Sequence, residues 1–324
     1  MLVPREGEPT LVVPKGEDPL VQRLDSEKLE TYVSFSMEEE VDSTRNLVFA
    51  LKRASPKKHK SIGLETADVS GDTKGVMARA FNSKRIVGIS QAMANMRVCK
   101  DEEEIAKIRD AVKVAEEGVM TMLDEGVEGM TEVEILSRVK SRMELMAGRP
   151  LEVYADLISG EKCLGVGSPV EVASIRRLAS GDDIIADVLP KVDGYWADLT
   201  RTKHLGVRSS KRVELYAAVG EAQRAATDKV APGVPACDID AEARRVLKEH
   251  GYSKEFPHYT GHGFGLDFRE APILVEWNRS RLKPGMVITI EPGVYSKSAG
   301  CVRLEDDVLV TESGHEVLSN LPYE

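Results

Sequence analysis

The chain is poor in cysteine and histidine, has no surplus of positive charge, and contains no long apolar run. Its cysteines, Cys99, Cys163, Cys237 and Cys301, are scattered, with no CxxC pair. That spacing excludes a dense disulfide framework and fits reduced thiols in a cytoplasmic protein. Lys and Arg number 44 against 54 Asp and Glu, a formal charge of −10. A nucleic-acid partner is therefore not expected, and the basic stretch KRASPKKHK (52–60) reads as a solvated loop. No run of about 18 apolar residues occurs, so no membrane span is expected. The opening MLVPREGEPTLVV is charged early and lacks the apolar stretch of a secretory signal.

What is there suits a globular protein of two domains: 324 residues, 42% hydrophobic and 30% charged. Residues 1–98 alternate strand-like stretches (PTLVVP at 9–14, KSIGLE at 60–65, RIVGIS at 85–90) with helix-like ones (STRNLVFALKRA at 43–54, TKGVMARAF at 73–81). This alternation predicts a small α/β unit. From residue 99 the pattern changes. Acidic residues 101–104 open a helix where its dipole favours negative charge. Ile105, Ile108, Val112, Ala115, Val119 and Met122 continue it as an apolar stripe over 99–126. Thr131 and Glu134 form a capping box for a second helix. Strand-like LEVYADLIS (151–159), DDIIADVL (182–189) and GYWADLTRTKHL (194–205) follow. The order then repeats, with helices over 209–230 and 238–250 and strand-like MVITIEPGVY (286–295) and CVRLEDDVLVT (301–311). The repeat is one of element order, without visible sequence identity between the halves.

Asp187 in IIADVL, Asp198 in YWADLT and Glu291 in VITIEPGVY stand where a strand interior should be apolar. A buried carboxylate has to be paired, protonated or bound to metal. Asp187 and Asp198 are expected directly opposite each other across a hairpin turning at PKVDG, about 5 Å apart. Carboxylates that close need a proton or a cation between them. Glu291 and Glu305 recur in the same way on strands flanking YSKSAG. Upstream lies GHGFGLDFRE (261–270), in which Gly261 and Gly263 fence His262. Glycine there is expected to let the backbone pass close to bound metal. Four carboxylates and one imidazole suit Mn²⁺, Co²⁺, Fe²⁺ or Zn²⁺. So much negative charge points to two ions, which about 3.5–4 Å apart hold a hydroxide between them and polarise a carbonyl.

The stretches ADVLPKVDGYWADLTRT, HYTGHGFGLDFREAP, LKPGMVITIEPGVY and VRLEDDVLVTESG resemble, in order and spacing over residues 100–324, the metal motifs of the pita-bread metallopeptidases. That family holds methionine aminopeptidases, prolidases, Xaa-Pro aminopeptidases and creatinase. The linker MRVCKDEEEIAKIRDA and the domain before it resemble the prolidase and creatinase branch. The resemblance implies an α+β pita-bread catalytic domain with pseudo-twofold halves over 99–324. Ahead of it, over 1–98, it implies a creatinase-like α/β domain, short for the family and opening at what resembles that domain's middle. It implies Asp187, Asp198, His262, Glu291 and Glu305 as ligands of two divalent ions, Mn²⁺ or Co²⁺ ahead of Zn²⁺ or Fe²⁺. Asp198 and Glu305 would be shared by both ions, and Glu291 would also carry a proton from the attacking water to the leaving amine. Thr200 would stand beside the ions. His258 matches a histidine of prolidase-like members, as a substrate contact or as structural support.

The implied activity is that of an Xaa-Pro dipeptidase acting on a small peptide, in a homodimer. Two substrate histidines of the peptidases are replaced. Pro169–Val170 stands where a Pro-His pair is expected, and Arg269 stands where the second histidine would follow Phe268. Arg269 is expected either to bind a substrate carboxylate in a bidentate fashion or to pair with Asp267 or Glu270. The replacements leave two other readings open: a non-peptidase metallohydrolase or lyase acting on a small anionic substrate, and a binding module without catalysis.

Overall fold

The computed structural model describes residues 1–15, 28–56, 59–65, 71–81, 83, 85–165 and 172–323. The chain divides into units Met1–Met93 and Ala94–Glu324. In the first, strand β1 (Leu11–Pro14) pairs in parallel with β2 (Leu29–Tyr32). Helix α1 (Ser43–Ala54) begins where the Asp42 side chain accepts the Arg45 N–H. Strand β3 (Ile62–Leu64) pairs in parallel with β4 (Ile86–Gly88), across the helix α2 (Gly71–Phe81). Leu51 of α1 and Val76, Ala80 and Phe81 of α2 form the small core. Helix α3 (Ser90–Arg97) buries none of its residues. No apolar stripe announces it, and the sequence reading assigned it no helix.

The second unit starts with two helices fixed by their caps. In α4 (Glu102–Glu125), the Asp101 carboxylate accepts the Glu104 N–H and the Glu104 carboxylate accepts the Asp101 N–H, both at 2.9 Å. Thr131 and Glu134 do the same for α5 (Glu132–Ala147), which ends at Gly148 with φ 68°. Ile108, Val112, Ala115, Val119 and Met122 of α4 and Ile135, Val139 and Met143 of α5 are buried. They pack on an antiparallel sheet of β5 (Glu152–Ser159), β6 (Asp183–Val192), β7 (Tyr195–Trp196) and β8 (Leu199–His204), in which β6 pairs with all three others.

The pattern recurs with its own core. Helices α6 (Ser210–Asp228) and α7 (Ala236–Glu249) pack on the strands that follow. These are β9 (Gly261–Gly263), β10 (Glu270–Leu274), β11 (Val287–Ile290), β12 (Gly293–Ser296), β13 (Gly300–Arg303), β14 (Asp306–Val310) and β15 (His315–Val317). One sheet has the order β10-β9-β11-β14-β15, and β12 and β13 form a separate ribbon.

Around the second helix of each half, positions correspond at a constant interval, which the sequence pattern alone does not reveal. Gly129 and Gly233, 104 residues apart, have φ of 89° and 84°. Arg177 Nη1 donates to Gly129 O at 2.7 Å, and Arg281 Nη1 donates to Gly233 O at 2.6 Å. Thr131 bridges to Arg177 as Pro235 does to Arg281. The same interval leads from Asp187 to Glu291. Equivalent backbone geometry survives on so few identical side chains because it needs only a positive-φ glycine and a guanidinium on its carbonyl.

One buried carboxylate in this unit belongs to the frame. Glu132 is fully buried and accepts hydrogen bonds from the Ser159 and Ser174 amides and hydroxyls and from Lys162 Nζ. It ties the first turn of α5 to the end of β5 and to the segment beginning at residue 172.

Candidate metal centre

Three stretches expected as continuous strands are each broken, and an acid stands at each break. Residues 197–198 part β7 from β8, 291–292 part β11 from β12, and 304–305 part β13 from β14. Asp198, Glu291 and Glu305 therefore lie between strands rather than within them. Their amides are satisfied across the site. Asp198 N–H donates to Asp307 Oδ2 at 3.1 Å, Glu291 N–H to Thr260 O at 2.8 Å, and Glu305 N–H to Thr200 O at 3.1 Å. Only Asp187 keeps a ladder position, between Asp156 and Thr200.

The expected direct opposition of Asp187 and Asp198 is corrected by that register. The hairpin turns on Asp193 and Gly194, with φ of 50° and 88°, a left-handed pair that suits a two-residue turn. This places the turn later than an even division of PKVDG, so Asp187 faces Thr200 and Asp198 lies diagonally, two residues along. The even offset keeps both carboxylates on one face. The second hairpin runs as expected, with Ile290 opposite Asp306 and Gly293 opposite Arg303, so Glu291 and Glu305 occupy matching positions.

The side chains converge. Carboxylate oxygens of Asp187, Asp198 and Glu305 lie within 4.8 Å of one another, a group that could hold a metal ion. His262 Nε2 is 3.5 Å from Asp198 Oδ2 and 3.7 Å from Glu291 Oε1. The other ring nitrogen, Nδ1, donates to Gly263 O at 2.9 Å, which leaves Nε2 as an acceptor. Burial pushes His262 down to about 4, so the ring is neutral at physiological pH. A lone pair then faces carboxylate oxygens, an arrangement that is repulsive unless a proton or a cation joins them. Asp187 Oδ1 and Asp198 Oδ1 are buried without a hydrogen-bond partner. Burial, followed by the neighbouring acids, pushes Asp198 and Glu305 well above the carboxylate range. Burial pushes Glu291 up to about 8. The orphaned oxygens and the oxygen-plus-imidazole donor set fit divalent cations of the Mn²⁺, Co²⁺, Fe²⁺ and Zn²⁺ kind.

The glycines that fence His262 serve the sheet. A Cβ on Gly261 would overlap Thr289 O, and one on Gly263 would overlap Ala271 O. The flanking strands, not a bound ion, set this requirement. Thr289 Oγ1 accepts the His262 N–H at 3.1 Å and donates to Glu291 Oε1 at 3.2 Å, coupling the two side chains.

Arg303 and Tyr295, which the sequence reading did not single out, join Thr200 and His258 around these acids. Buried Arg303 donates from Nη2 to Asp187 Oδ2 at 2.7 Å and from Nε to Thr200 Oγ1 at 3.3 Å. Thr200 Oγ1 in turn donates to Glu305 Oε2 at 2.5 Å. An arginine two residues before a glutamate in a strand resembles any surface charge pair, so its sequence signal is weak. Tyr295 OH accepts from Arg303 Nη1 at 3.4 Å and meets His258 Nε2 at 2.9 Å. His258 Nδ1 donates to Tyr259 O at 2.8 Å, so both of its ring nitrogens are engaged within the protein. Burial, then the Arg303 charge, pushes His258 down to about 3.

Arg269 is the outlier. Its expected local partners are taken: Asp267 by Arg97 and Glu270 by Lys100, each at 2.9 Å. The guanidinium lies 5.2 Å from the Tyr259 ring centroid and 5.6 Å from that of Phe268. Among the described residues, no hydrogen bond or ion pair reaches it. The Tyr259 ring meets the His262 ring edge-on at 5.6 Å, so Arg269 sits one ring away from His262. Pro169 and Val170 lie outside the described residues.

Comparison with known proteins places this geometry. Residues 106–312 match the model of the family described as metallopeptidase family M24. The chain is 35% identical over 259 residues to the Xaa-Pro dipeptidase of Pyrococcus furiosus, covering 79% of this chain and 74% of the relative. Among solved structures it resembles the X-Pro aminopeptidase from Thermotoga maritima (TM-score 0.85, 28% identity, covering 97% of this chain and 86% of that one). It also resembles the prolidase from Pyrococcus furiosus (TM-score 0.83, 30% identity, covering 97% and 87%).

Proposed function

This chain belongs to metallopeptidase family M24 and is a peptidase of the mixed α/β pita-bread architecture, and from that premise we propose that it hydrolyses the bond before proline in Xaa-Pro dipeptides. The observation that carries this reading is the Arg269 guanidinium on the Tyr259 ring that meets His262, its donors without a hydrogen-bond partner among the described residues. Its planar fork matches the C-terminal carboxylate that a dipeptide offers. The relative named as an Xaa-Pro dipeptidase and the prolidase structure support the choice of proline. An imide nitrogen without hydrogen and a fixed φ require a site shaped for them.

Two divalent ions, Mn²⁺ or Co²⁺ ahead of Zn²⁺ or Fe²⁺, would be held by Asp187, Asp198, His262, Glu291 and Glu305. The proximity of Asp187, Asp198 and Glu305 supports Asp198 and Glu305 as shared ligands. Bound there, such ions supply a water of lowered pKa and polarise the scissile carbonyl. The chain's own groups do the rest. His262 keeps Nε2 for ligation because Gly263 O holds its Nδ1–H. Arg303 and Thr200 fix the orientation of Asp187 and Glu305. Glu291 accepts a proton at its carboxylate as water adds to the carbonyl carbon. It passes that proton to the proline nitrogen as the C–N bond breaks. Arg269 holds the substrate carboxylate and so selects which carbonyl is presented. His258, engaged at both nitrogens, is a positioning residue acting through Tyr295.

The reading extends to a creatinase-like α/β domain over residues 1–98 and a catalytic domain over 99–324, supported by the two compact units. A cytoplasmic location is supported by four free cysteines. A homodimer is supported by the family resemblance. Steady-state hydrolysis of an Xaa-Pro dipeptide, its C-terminal amide and an Xaa-Ala dipeptide, with Mn²⁺ present, tests the proposal. The free Xaa-Pro acid is expected to exceed its amide in kcat/KM by about tenfold or more, the scale of one charge-assisted hydrogen bond, and to exceed the Xaa-Ala dipeptide as well. Turnover of none of them, or a preference for the amide, sinks it.

A further inference from the structure

Two arginines, Arg201 and Arg303, are buried among the described residues. Arg303 reaches a side chain of the carboxylate cluster, Asp187. Arg201 works from behind the cluster. On β8 it lies opposite Ala186, one rung along from the pair Asp187 and Thr200, so its side chain leaves the other face of the sheet. It is 1% exposed, and each of its five N–H donors has an acceptor. Nη1 donates to Thr200 O at 3.0 Å and to Glu305 O at 2.6 Å. Nη2 donates to Asp306 Oδ1 at 2.7 Å and to Leu321 O at 3.3 Å, and Nε donates to Pro322 O at 2.8 Å. Asp306 is fixed in turn, since Oδ1 accepts from Ser319 Oγ at 2.7 Å and Oδ2 from Gln223 Nε2 at 2.8 Å.

The two carbonyls that Nη1 joins belong to different halves. Thr200 lies on β8, which follows Asp187 and Asp198 in the first half, and Glu305 lies between β13 and β14 in the second. The ladders on either side of Glu305 end at Arg303 and begin again at Asp306. At the break, Thr200 O accepts the Glu305 N–H at 3.1 Å and Arg201 holds the Glu305 carbonyl. We propose that Arg201 is a positioning residue that fixes Glu305 against Thr200, and so sets the two halves of the metal site in register before an ion binds. The inference rests on the assignment of Glu305 as a ligand given above. Ionised carboxylates gathered without a cation repel one another, and a pause in strand pairing is where that repulsion has least to work against. A guanidinium anchored on Asp306 resists it through the backbone, and takes no carboxylate oxygen of Glu305 in doing so. Lysine cannot replace it, because three donors on one atom do not span two carbonyls, Asp306 and residues 321–322 together.

Two measurements test this. The first is amide hydrogen exchange of the unmodified full-length chain after chelator treatment. The Glu305 N–H is expected to exchange within about tenfold of the Val310 N–H, which donates to Met286 O at 2.8 Å in the adjoining ladder. Faster exchange at Glu305 that slows only when Mn²⁺ is added overturns the proposal. The second compares Mn²⁺ affinity in the unmodified chain, Arg201→Lys and Glu132→Ala by competition with a metallochromic chelator, at a temperature where circular dichroism shows each folded. Glu132→Ala removes a buried carboxylate whose hydrogen bonds reach none of the ligands, so it controls for lost stability alone. Arg201→Lys is expected to bind Mn²⁺ about tenfold or more weakly than the unmodified chain, and Glu132→Ala to stay within about twofold of it. Unchanged affinity in Arg201→Lys, or an equal fall in both variants, overturns the proposal. Should Arg201→Lys not fold, exchange at Glu305 decides. Failure of the parent reading looks different, since the unmodified chain would then take up no Mn²⁺, and exchange at Glu305 would still decide whether Arg201 holds the break.

Discussion

A hydrogen atom is all that fits between the backbone on either side of His262 and the strands that flank it. Gly263→Ala would drive a methyl into Ala271 O, and is expected to cost about 3 kcal/mol or more. Urea unfolding would measure it, and a loss below about 1 kcal/mol would show that the strand moves aside. Arg303→Met leaves Asp187 Oδ2 without its donor, and metal affinity should fall about 10–100-fold with the fold intact. Competition with a metallochromic chelator reads that loss, and unchanged affinity would mean that the arginine is only a packing residue. The converging acids Asp187, Asp198 and Glu291 were legible in the sequence because each is a polar residue in an apolar context, whereas Glu305 and His262 stood out only in combination with them. Arg303 and Arg201 were not legible, since their importance comes from partners more than a hundred residues away. The two fates open to Arg269 could not be separated without knowing which cations Asp267 and Glu270 had found.

Strand breaks, rather than strands, display the acids. Period-two alternation marks where a chain is extended but not where its pairing pauses, so the sequence predicted unbroken strands across Asp198, Glu291 and Glu305. Apart from α3, the helices were placed to within a few residues, and α4 and α5 carry capping boxes that act locally. Glu132, at the start of α5, escaped notice for the opposite reason. An acid in the first helical turn is ordinary, and only the fold brings Ser159, Lys162 and Ser174 to it. Glu132→Ala is expected to destabilise the protein by about 3–5 kcal/mol, leaving Lys162 without its main partner and the serine amides unsatisfied. Thermal denaturation reads this, and a shift no larger than that of an exposed Glu→Ala control would contradict it.

At the scale of the molecule, two similar halves meet at a cluster of buried acids that oppose folding when ionised. Glu291 has an ordinary value of 4.5 and is raised by burial to about 8 in the folded chain. A carboxyl raised in this way favours the folded state below about pH 4.5 and loses that contribution as pH rises through about 8. Chelator-treated protein should therefore melt at a lower temperature at about pH 8.5 than at about pH 6, and added Mn²⁺ should raise Tm by more at the higher pH. A pH-independent Tm in the treated protein would remove the carboxylate cluster from this account. The pairing of two halves was visible as a repeated order of elements. Its 104-residue exactness was not, because what repeats is backbone geometry around Gly129 and Gly233 rather than side-chain identity.

The most direct test of the central claim is a titration of chelator-stripped enzyme with Mn²⁺, following turnover of an Xaa-Pro dipeptide against equivalents of metal per chain. Turnover is expected to be absent at the start, to rise to a plateau at about two equivalents, and to be lost in Asp198→Asn. Full turnover by the stripped enzyme, or none with Mn²⁺, Co²⁺, Zn²⁺ or Fe²⁺ at any ratio, would contradict it.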